Sequence, residues 1–165
     1  MIGVMFSIHP EQVEKIFEKI GERDGEAVYR KNVELRKNRP RLKAPFPGYI
    51  YETAKNGGRG MVVGEFICDQ IYTVAKDISE YMYIGDDDLD YFSEAEEKGL
   101  DICLNDYEIN AYLKNGLGYG LHITGLVRYS DPISLEKFSK LGFGRWVPLK
   151  RPPQSWCYVE VTENE

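Results

Sequence analysis

Seven cationic side chains surround one carboxylate between residues 30 and 43, in a chain whose net charge is −6. The acid is Glu34, and the cations are Arg30, Lys31, Arg36, Lys37, Arg39, Arg41 and Lys43. Arginine and lysine bind phosphate groups, and a lysine beside a glutamate can exchange a proton with a substrate. This basic stretch therefore suits either an anion-binding site or a Lys–Glu pair that transfers protons.

The spacing of Lys31, Glu34 and Arg36 restricts how the three side chains can meet. Val33 and Leu35 alternate with polar residues, which is typical of a half-buried strand. On a regular strand Glu34 and Arg36 share one face, whereas Lys31, an odd number of residues from Glu34, points to the other. Lys31 joins the cluster only if it precedes the strand or follows a bulge. The alternative is an exposed Glu34–Arg36 ion pair, which contributes about 0–1 kcal/mol.

The segment before the basic stretch predicts a strand, a helix and a loop. The strand ends at Ile8, and a helix begins at His9, with apolar residues at helical spacing up to Ile20. Gly21 is expected to end this helix. The charged residues 22–27 are expected to form a loop.

Turn residues divide most of the remaining chain into strands. Asn56-Gly57-Gly58 separates two apolar runs, 49–53 and 61–68, and predicts a β-hairpin. The further elements expected are a helix at 104–113, a strand at 119–129, a brief helix through 138 and a strand at 156–162. Five or six strands with few helices indicate a mainly β fold of the α+β class, a small β-barrel decorated by helices. The length of 165 residues fits a single domain over 1–165.

Charge is segregated along the chain. Residues 77–108 contain twelve acids and only one base, Lys98, so the remainder of the chain is net positive. Because salt screens charges beyond roughly 10 Å, a basic face can bind phosphates although the whole chain is acidic. We expect an acidic helical insertion at about 75–103, which is either a solvated face or a surface for a protein partner.

Several classes of site and location are disfavoured. The cysteines, Cys68, Cys103 and Cys157, are odd in number and lack CxxC spacing, which favours a reducing, cytoplasmic compartment. The apolar start of the chain is too short for a signal peptide or a membrane span. His9 and His122 lack the spacing of zinc ligands, so no metal is expected, and no cofactor-binding motif is evident.

Five short motifs follow one another at residues 7–16, 31–37, 49–53, 62–66 and 152–158. Their order and spacing resemble the ASCH domain of the PUA-like superfamily, and the last is similar to the tail of its phage and bacterial members. The resemblance implies a β-barrel with a cleft that holds the family motif G-x-K-x-x-E-x-R, and a link to RNA. Lys31, Glu34 and Arg36 match that motif, whereas Tyr29 stands where the family has glycine.

The principal hypothesis is a module that binds RNA or a nucleotide in a Lys/Glu/Arg cleft. Glu34 is expected to accept a hydrogen bond from a base edge or an amine. The residues expected to contact the ligand are Arg30, Lys31, Arg36, Lys37, Arg39, Arg41, Gln154, Ser155 and Trp156. The rings of Tyr49, Tyr51, Tyr119 and Trp156 either stack on an unpaired base or fill the core.

Two alternatives remain open. Some proteins that this chain resembles hydrolyse the acetyl amide of N4-acetylcytidine with a lysine, a threonine and a glutamate. A hydrolase of that kind, or a ribonuclease, would use Lys31 and Glu34, helped by Glu108. Glu34 occupies the place of that threonine, and no activated Ser or Cys nucleophile is evident, so we favour the binding module. The second alternative is a protein-interaction module of a mobile element that acts through the acidic insertion.

Overall fold

The structure, a computed structural model, describes residues 1–77, 80–84, 89–91, 99–114 and 116–161. In chain order the elements are β1 (Ile2–Ile8), α1 (Pro10–Phe17), β2 (Lys19–Arg23), β3 (Glu26–Tyr29), β4 (Val33–Arg36), β5 (Phe46–Glu52), β6 (Met61–Asp77), β7 (Glu80–Ile84), β8 (Leu89–Tyr91), α2 (Asp106–Leu113), β9 (Gly118–Ile133), β10 (Ser139–Gly142), β11 (Arg145–Pro148) and β12 (Trp156–Glu160). Strands make up 51% of the structure, which confirms the mainly β fold of the α+β class.

The chain divides into two compact units. The first unit consists of Met1–Glu14, Pro45–Cys68 and Thr124–Glu165, and the second consists of Lys15–Ala44 and Asp69–Ile123. The basic stretch lies in the second unit. The prediction of a single domain over 1–165 stays a prediction.

In the first unit the hydrogen-bonded strands follow the order β11-β10-β12-β1-β5-β6. β1 is parallel to β5 and antiparallel to β12. Apolar side chains from these strands and the loops beside them form one core cluster, whose buried members are Met5, Tyr49, Tyr51, Val62, Phe138, Leu149 and Val159. Tyr49 and Tyr51 are therefore core residues, as one of the two sequence interpretations had them.

The hairpin predicted around Asn56-Gly57-Gly58 is confirmed, with β5 and β6 as its arms. Asn56 and Gly57 have φ angles of 51° and 80°, the left-handed conformation that Asn and Gly tolerate best. Gly58 lies so close to the carbonyl oxygen of Thr53 that a Cβ at this position would collide with it. A side chain at position 58 is therefore excluded unless the turn moves.

In the second unit β4 pairs antiparallel with β9, so that Arg36 is opposite Tyr119 and Val33 is opposite His122. α2 begins with a capping box, in which the Asn105 side chain accepts from the Glu108 N–H and the Glu108 carboxylate accepts from the Asn105 N–H. The buried core cluster of this unit consists of Val33, Leu35, Tyr72, Val74, Leu100, Ile102, Ile109 and Leu113.

Two predictions near the start of the second unit are wrong. α1 ends at Phe17 rather than at Gly21, and Ile20 is exposed on β2. Residues 22–27 are not an irregular loop, because β2 and β3 form a hairpin closed by Asp24 and Gly25. An Asp-Gly pair is among the preferred two-residue turns for a hairpin, and here it prevails over the apolar spacing that suggested a longer helix.

The acidic helical insertion at about 75–103 is also wrong where the structure describes that range. β7 and β8 are antiparallel strands that continue the sheet from β6. The remainder of the predicted insertion, residues 78–79, 85–88 and 92–98, lies outside the described residues.

The predicted small β-barrel needs correction as well, because the strands of the described residues do not close into a barrel. The described pairings place β11 at one end of the strand order, where it is paired with β10 alone. The brief helix expected through residue 138 is a single 3-10 turn at Leu135–Lys137. Over the described part of the chain, the structure has no helix long and apolar enough to cross a membrane.

Candidate functional site

Lys31 is a buried lysine whose ammonium group has a defined acceptor. It precedes β4, and only 1% of the residue is exposed. Its backbone N–H donates to the Lys15 carbonyl at 3.1 Å, and Nζ donates to the Ile102 carbonyl at 2.9 Å. Main-chain carbonyls therefore hold both the backbone and the side chain of Lys31.

Glu34 lies between two cations. Its Oε2 is 3.4 Å from Lys31 Nζ, and its Oε1 is 3.4 Å from Arg36 Nη2. Glu34 and Arg36 are each 8% exposed, so all three charged groups are nearly removed from solvent. The structure therefore brings Lys31, Glu34 and Arg36 together, with Lys31 before the strand, one of the two arrangements that the spacing allowed.

Asn32 fixes the backbone on which Lys31 sits. Its side chain donates to the Gly99 carbonyl at 2.6 Å and accepts from the Asp101 N–H at 2.8 Å. The Asp101 carbonyl in turn accepts from the backbone N–H groups of Asn32 and Val33, at 3.1 and 3.2 Å. These bonds hold residues 99–102 against the basic stretch, and they bring the Ile102 carbonyl to Lys31.

Burial makes this cluster energetically demanding. Taking ionised groups out of water costs several kcal/mol each, and close opposite charges offset that cost only with good hydrogen bonding. Among the described residues, none donates a hydrogen bond to Glu34 Oε2, although this atom is buried. Oε2 is therefore stabilised by the charge of Lys31 at 3.4 Å and not by a hydrogen bond of good geometry.

An aromatic ring accompanies the cluster. Cross-strand partners in an antiparallel pair project to the same face, so Tyr119 lies beside Arg36 and Leu121 beside Glu34. Tyr119 is half-buried, unlike Tyr49 and Tyr51. The sequence singled out Tyr119 only as one of four aromatic rings, and the pairing of β4 with β9 distinguishes it.

The other cations of the basic stretch have separate surroundings. Arg30 forms an exposed ion pair with Glu18 at 3.2 Å, and the hydrogen bond and charge of Glu18 raise the arginine pKa. The ammonium group of Lys37 lies 4.9 Å from the centre of the Tyr112 ring. Arg39 donates to the carbonyl of the neighbouring Pro40 at 3.4 Å, a weak contact. These residues belong to the same unit as Lys31, and their roles in binding stay predictions.

The polar group after the two prolines lies in the first unit. The Ser155 carbonyl accepts from the Ser7 N–H at 3.0 Å, and the Trp156 ring packs edge-on against Tyr158 at 5.2 Å. Gln154 is exposed in the same segment. The contacts described for Ser155 and Trp156 are structural, and the predicted roles of the three residues in ligand binding stay predictions.

Glu108, the additional catalytic candidate, has a structural role in α2. Its carboxylate accepts from the Asn105 N–H at 3.2 Å in the capping box. This contact accounts for the position of the side chain without any part in catalysis.

The cysteine beside the site is held in its protonated form. Cys103 has a φ of 57° and its thiol donates to the Arg30 carbonyl at 3.1 Å. Burial, followed by the charge of Asp101, raises the Cys103 pKa to about 11. A protonated thiol is a poor nucleophile, so Cys103 is unsuited to thiolate catalysis near neutral pH.

His122, which the sequence analysis considered as a zinc ligand, contacts an acidic side chain of the same unit. Its Nδ1 lies 2.7 Å from Asp69 Oδ1. His122 is opposite Val33, and therefore on the other face of β4 from Glu34. Within the part of the chain that the structure describes, no group of three or more His, Cys, Asp and Glu side chains is placed to hold a metal ion.

Three known structures with a similar fold are those of one ASCH protein. A crystal structure of a tyrosine-to-phenylalanine mutant of the ASCH protein from Zymomonas mobilis has a TM-score of 0.59 and 16% sequence identity. The alignment covers 96% of this chain and 90% of the mutant's chain. A serine-to-alanine mutant of the same protein gives a TM-score of 0.59 at 14% identity, covering 96% and 88%. The ASCH protein itself gives 0.53 at 15% identity, covering 96% and 87%.

These likenesses confirm the resemblance to the ASCH domain at the level of the fold. At such identities they carry no information about which residues act or on what ligand. No protein-family model matches the sequence, and no curated protein sequence matches it.

Proposed function

We propose that this chain binds RNA or a nucleotide through the cluster of Lys31, Glu34 and Arg36. The observation that carries the proposal is the buried Glu34 carboxylate, which lies between two cations and keeps an acceptor oxygen without a hydrogen bond from any described residue. An unsatisfied buried acceptor costs about 1–3 kcal/mol. A ligand N–H would remove that cost by displacing a group that covers Oε2, since this oxygen is buried.

The chemistry of this acceptor favours a nucleobase. The exocyclic amines of adenine, cytosine and guanine donate hydrogen bonds, and unpaired bases present these amines to proteins. The carboxylate accepts from such an amine and repels a phosphate. We therefore assign Glu34 to the base and the cationic residues of the cluster to the phosphates.

Arg36 supplies what a phosphate requires. Its guanidinium is a planar fork that binds two phosphate oxygens at once, and Glu34 orients it from 3.4 Å. The cations that follow on the chain, Lys37, Arg39 and Arg41, would extend the phosphate contacts of a longer ligand. Tyr119, beside Arg36, would stack on the base.

A hydrolase is the second candidate, and the 3.4 Å contact between Lys31 and Glu34 is the observation that favours it. A hydrolytic lysine must lose its proton to act as a base. Lys31 is only 1% exposed, with Nζ held at the Ile102 carbonyl and at Glu34, so a substrate has little access to it. The binding module therefore agrees better with the contacts of Lys31.

Calorimetric titration of the protein with mononucleotides and with a short single-stranded RNA tests the proposal. We expect Arg36→Lys, which keeps the charge but not the fork, to weaken binding about tenfold or more, since a charge-assisted hydrogen bond contributes about 1.5–3 kcal/mol. Arg59→Lys makes the same change in the first unit and should leave the affinity unchanged. Absence of binding by the wild-type protein would refute the proposal.

The same samples distinguish the hydrolase. Incubation with N4-acetylcytidine and with RNA, followed by chromatography, reports any product. If the wild type forms product and Lys31→Arg does not, the hydrolase is supported and the binding module is rejected. Binding without product supports the module.

A further inference from the structure

The hairpin of β10 and β11 carries a fully exposed phenylalanine at its tip. Gly142 pairs with Arg145, so Phe143 and Gly144 alone form the turn. The Phe143 side chain is as exposed as in an extended chain, and Leu141 beside it is 55% exposed. Phenylalanine is among the residue types most often fully buried, and at this position packing contributes nothing to its stability.

The backbone conformation of this turn disfavours phenylalanine. Phe143 and Gly144 have φ angles of 52° and 78°, so both are left-handed, as in a type I′ turn. Asp24 and Gly25 close the β2–β3 hairpin with nearly the same angles, 53° and 81°. That turn has a preferred Asp-Gly pair, whereas a bulky residue in this conformation is an outlier. Phe143 is therefore unfavourable for its own turn, and strained residues of this kind cluster at functional sites.

The hairpin is also basic in an acidic protein. Residues 137–151 contain five cations and no acid: Lys137, Lys140, Arg145, Lys150 and Arg151. Lys140 and Arg145 are exposed and lie within three residues of Phe143. An exposed ring with cations beside it matches the way proteins hold single strands, where bases stack on aromatic rings and phosphates meet basic side chains.

We propose that the tip of the β10–β11 hairpin is a second RNA-binding surface, on which Phe143 stacks against an unpaired base while Lys140 and Arg145 bind the adjoining phosphates. The inference rests on the proposed function in that the ligand is RNA, but it concerns other residues, in the first unit. It predicts that a strand of several nucleotides engages Phe143, whereas binding of a mononucleotide at the Glu34 cluster is independent of it.

The experiment compares Phe143→Asn with Tyr107→Asn. Asparagine followed by glycine is a preferred type I′ pair, so Phe143→Asn should fold at least as well as the wild type. Tyr107 is also a highly exposed aromatic residue, at 81%, but Asp106 and Glu108 flank it. We measure the affinity for single-stranded RNA of about 4–16 nucleotides, the range of common single-strand sites, and for a mononucleotide.

We expect Phe143→Asn to lower the affinity for the strand about 5- to 150-fold, which corresponds to the loss of one stacked base. The affinity for the mononucleotide should not change, and Tyr107→Asn should have no effect on either ligand. Phe143→Trp should restore binding of the strand. Replacing Lys140 and Arg145 together by glutamine should make the affinity less dependent on salt, with a slope that falls by about 0.7 for each phosphate no longer neutralised.

Wild-type affinity of Phe143→Asn for the strand would overturn the inference while leaving the proposed function intact. Absence of strand binding by the wild type would also overturn the inference. Mononucleotide binding would then test the proposed role of the Glu34 cluster separately. Binding to vesicles with anionic lipids that depends on Phe143, without binding to RNA, would assign the hairpin to a membrane surface instead.

Discussion

The ammonium group of Lys31 lies 3.4 Å from the carboxylate of Glu34, and both residues are more than nine-tenths buried. Glu34 is part of β4, whereas Lys31 precedes it. Lys31 is therefore not subject to the alternation of a strand, which would place it on the opposite face from Glu34. The ion pair of Lys19 and Glu22 in the same unit is shorter, at 2.8 Å, but it is exposed. Burial therefore distinguishes the Lys31–Glu34 pair from it.

Glu34→Gln should destabilise the protein strongly, whereas Glu22→Gln should not. The first change leaves two buried cations without their carboxylate, which we expect to lower the free energy of unfolding by about 3–5 kcal/mol. The second change breaks an exposed pair and should alter it by about 0–1 kcal/mol. Urea unfolding followed by circular dichroism measures both. Equal effects of the two substitutions would show that Glu34 is not buried between the cations in solution.

Asn32→Ala should loosen the segment that supplies the acceptor of Lys31. The substitution removes two hydrogen bonds, to Gly99 and Asp101, and solvent replaces them in part because both are exposed. We expect a decrease of about 1–2 kcal/mol in the free energy of unfolding and faster hydrogen exchange at the Asp101 amide. Ser134→Ala is the control, since it removes only an exposed contact of 3.4 Å with Glu136. Unchanged exchange at Asp101 would mean that Asn32 does not hold this segment.

Gly58→Ala should destabilise the β5–β6 hairpin. The new methyl group would collide with the Thr53 carbonyl oxygen and with Pro10, and backbone must move to admit it. Overpacking of this kind costs about 1–3 kcal/mol. Gly21→Ala offers a matched control, because nothing lies within 4 Å of a Cβ there. Thermal unfolding of the two variants should differ clearly, and similar melting temperatures would contradict the close approach at Gly58.

Stability should fall at alkaline pH through the two partly buried thiols. Burial raises the pKa of Cys103 and of Cys157 from 9.0 to about 11, and the charge of Asp101 adds to the effect at Cys103. Each thiol thus binds its proton more tightly in the folded chain than in the unfolded chain. Its contribution to stability is complete below pH 9 and is lost as the pH rises through about 11.

Urea unfolding across this pH range, with Cys103→Ser and Cys157→Ser combined as the reference, isolates the effect. The difference in unfolding free energy between wild type and reference should shrink as the pH rises. Alkylation of the native protein should also be slower than that of a free cysteine at the same pH. A constant difference, or fast alkylation at pH 8, would contradict the raised pKa values.

Local sequence signals predicted the elements whose stability is local. Asn56 and Gly57 identified the β5–β6 hairpin, because turn preferences of this kind act within a few residues. The Asp24-Gly25 turn carried an equally strong signal, but the apolar spacing up to Ile20 outweighed it in our prediction. In the acidic region, the run Tyr81-Met82-Tyr83-Ile84 contains residues that favour strands, and the neighbouring charges obscured it.

The composition of the cluster was predictable, but its surroundings were not. The alternation of β4 placed Glu34 and Arg36 on one face, and the odd spacing of Lys31 required an exception. The acceptor of Lys31, the Ile102 carbonyl, comes from 71 residues away in the sequence. Tyr119 likewise reaches Arg36 only through the register of β9. No local pattern encodes partners at such separations.

The hydrogen bond from Lys31 to Ile102 means that the proposed recognition of a ligand would be lost if the basic stretch were separated from the rest of the chain. A synthetic peptide of residues 30–43 would keep every positive charge, yet water would surround Glu34 and screen it from its neighbours. Such a peptide should adhere to any polyanion, with little preference among bases. Selectivity would emerge only when distant parts of the polypeptide close over the charges and exclude solvent.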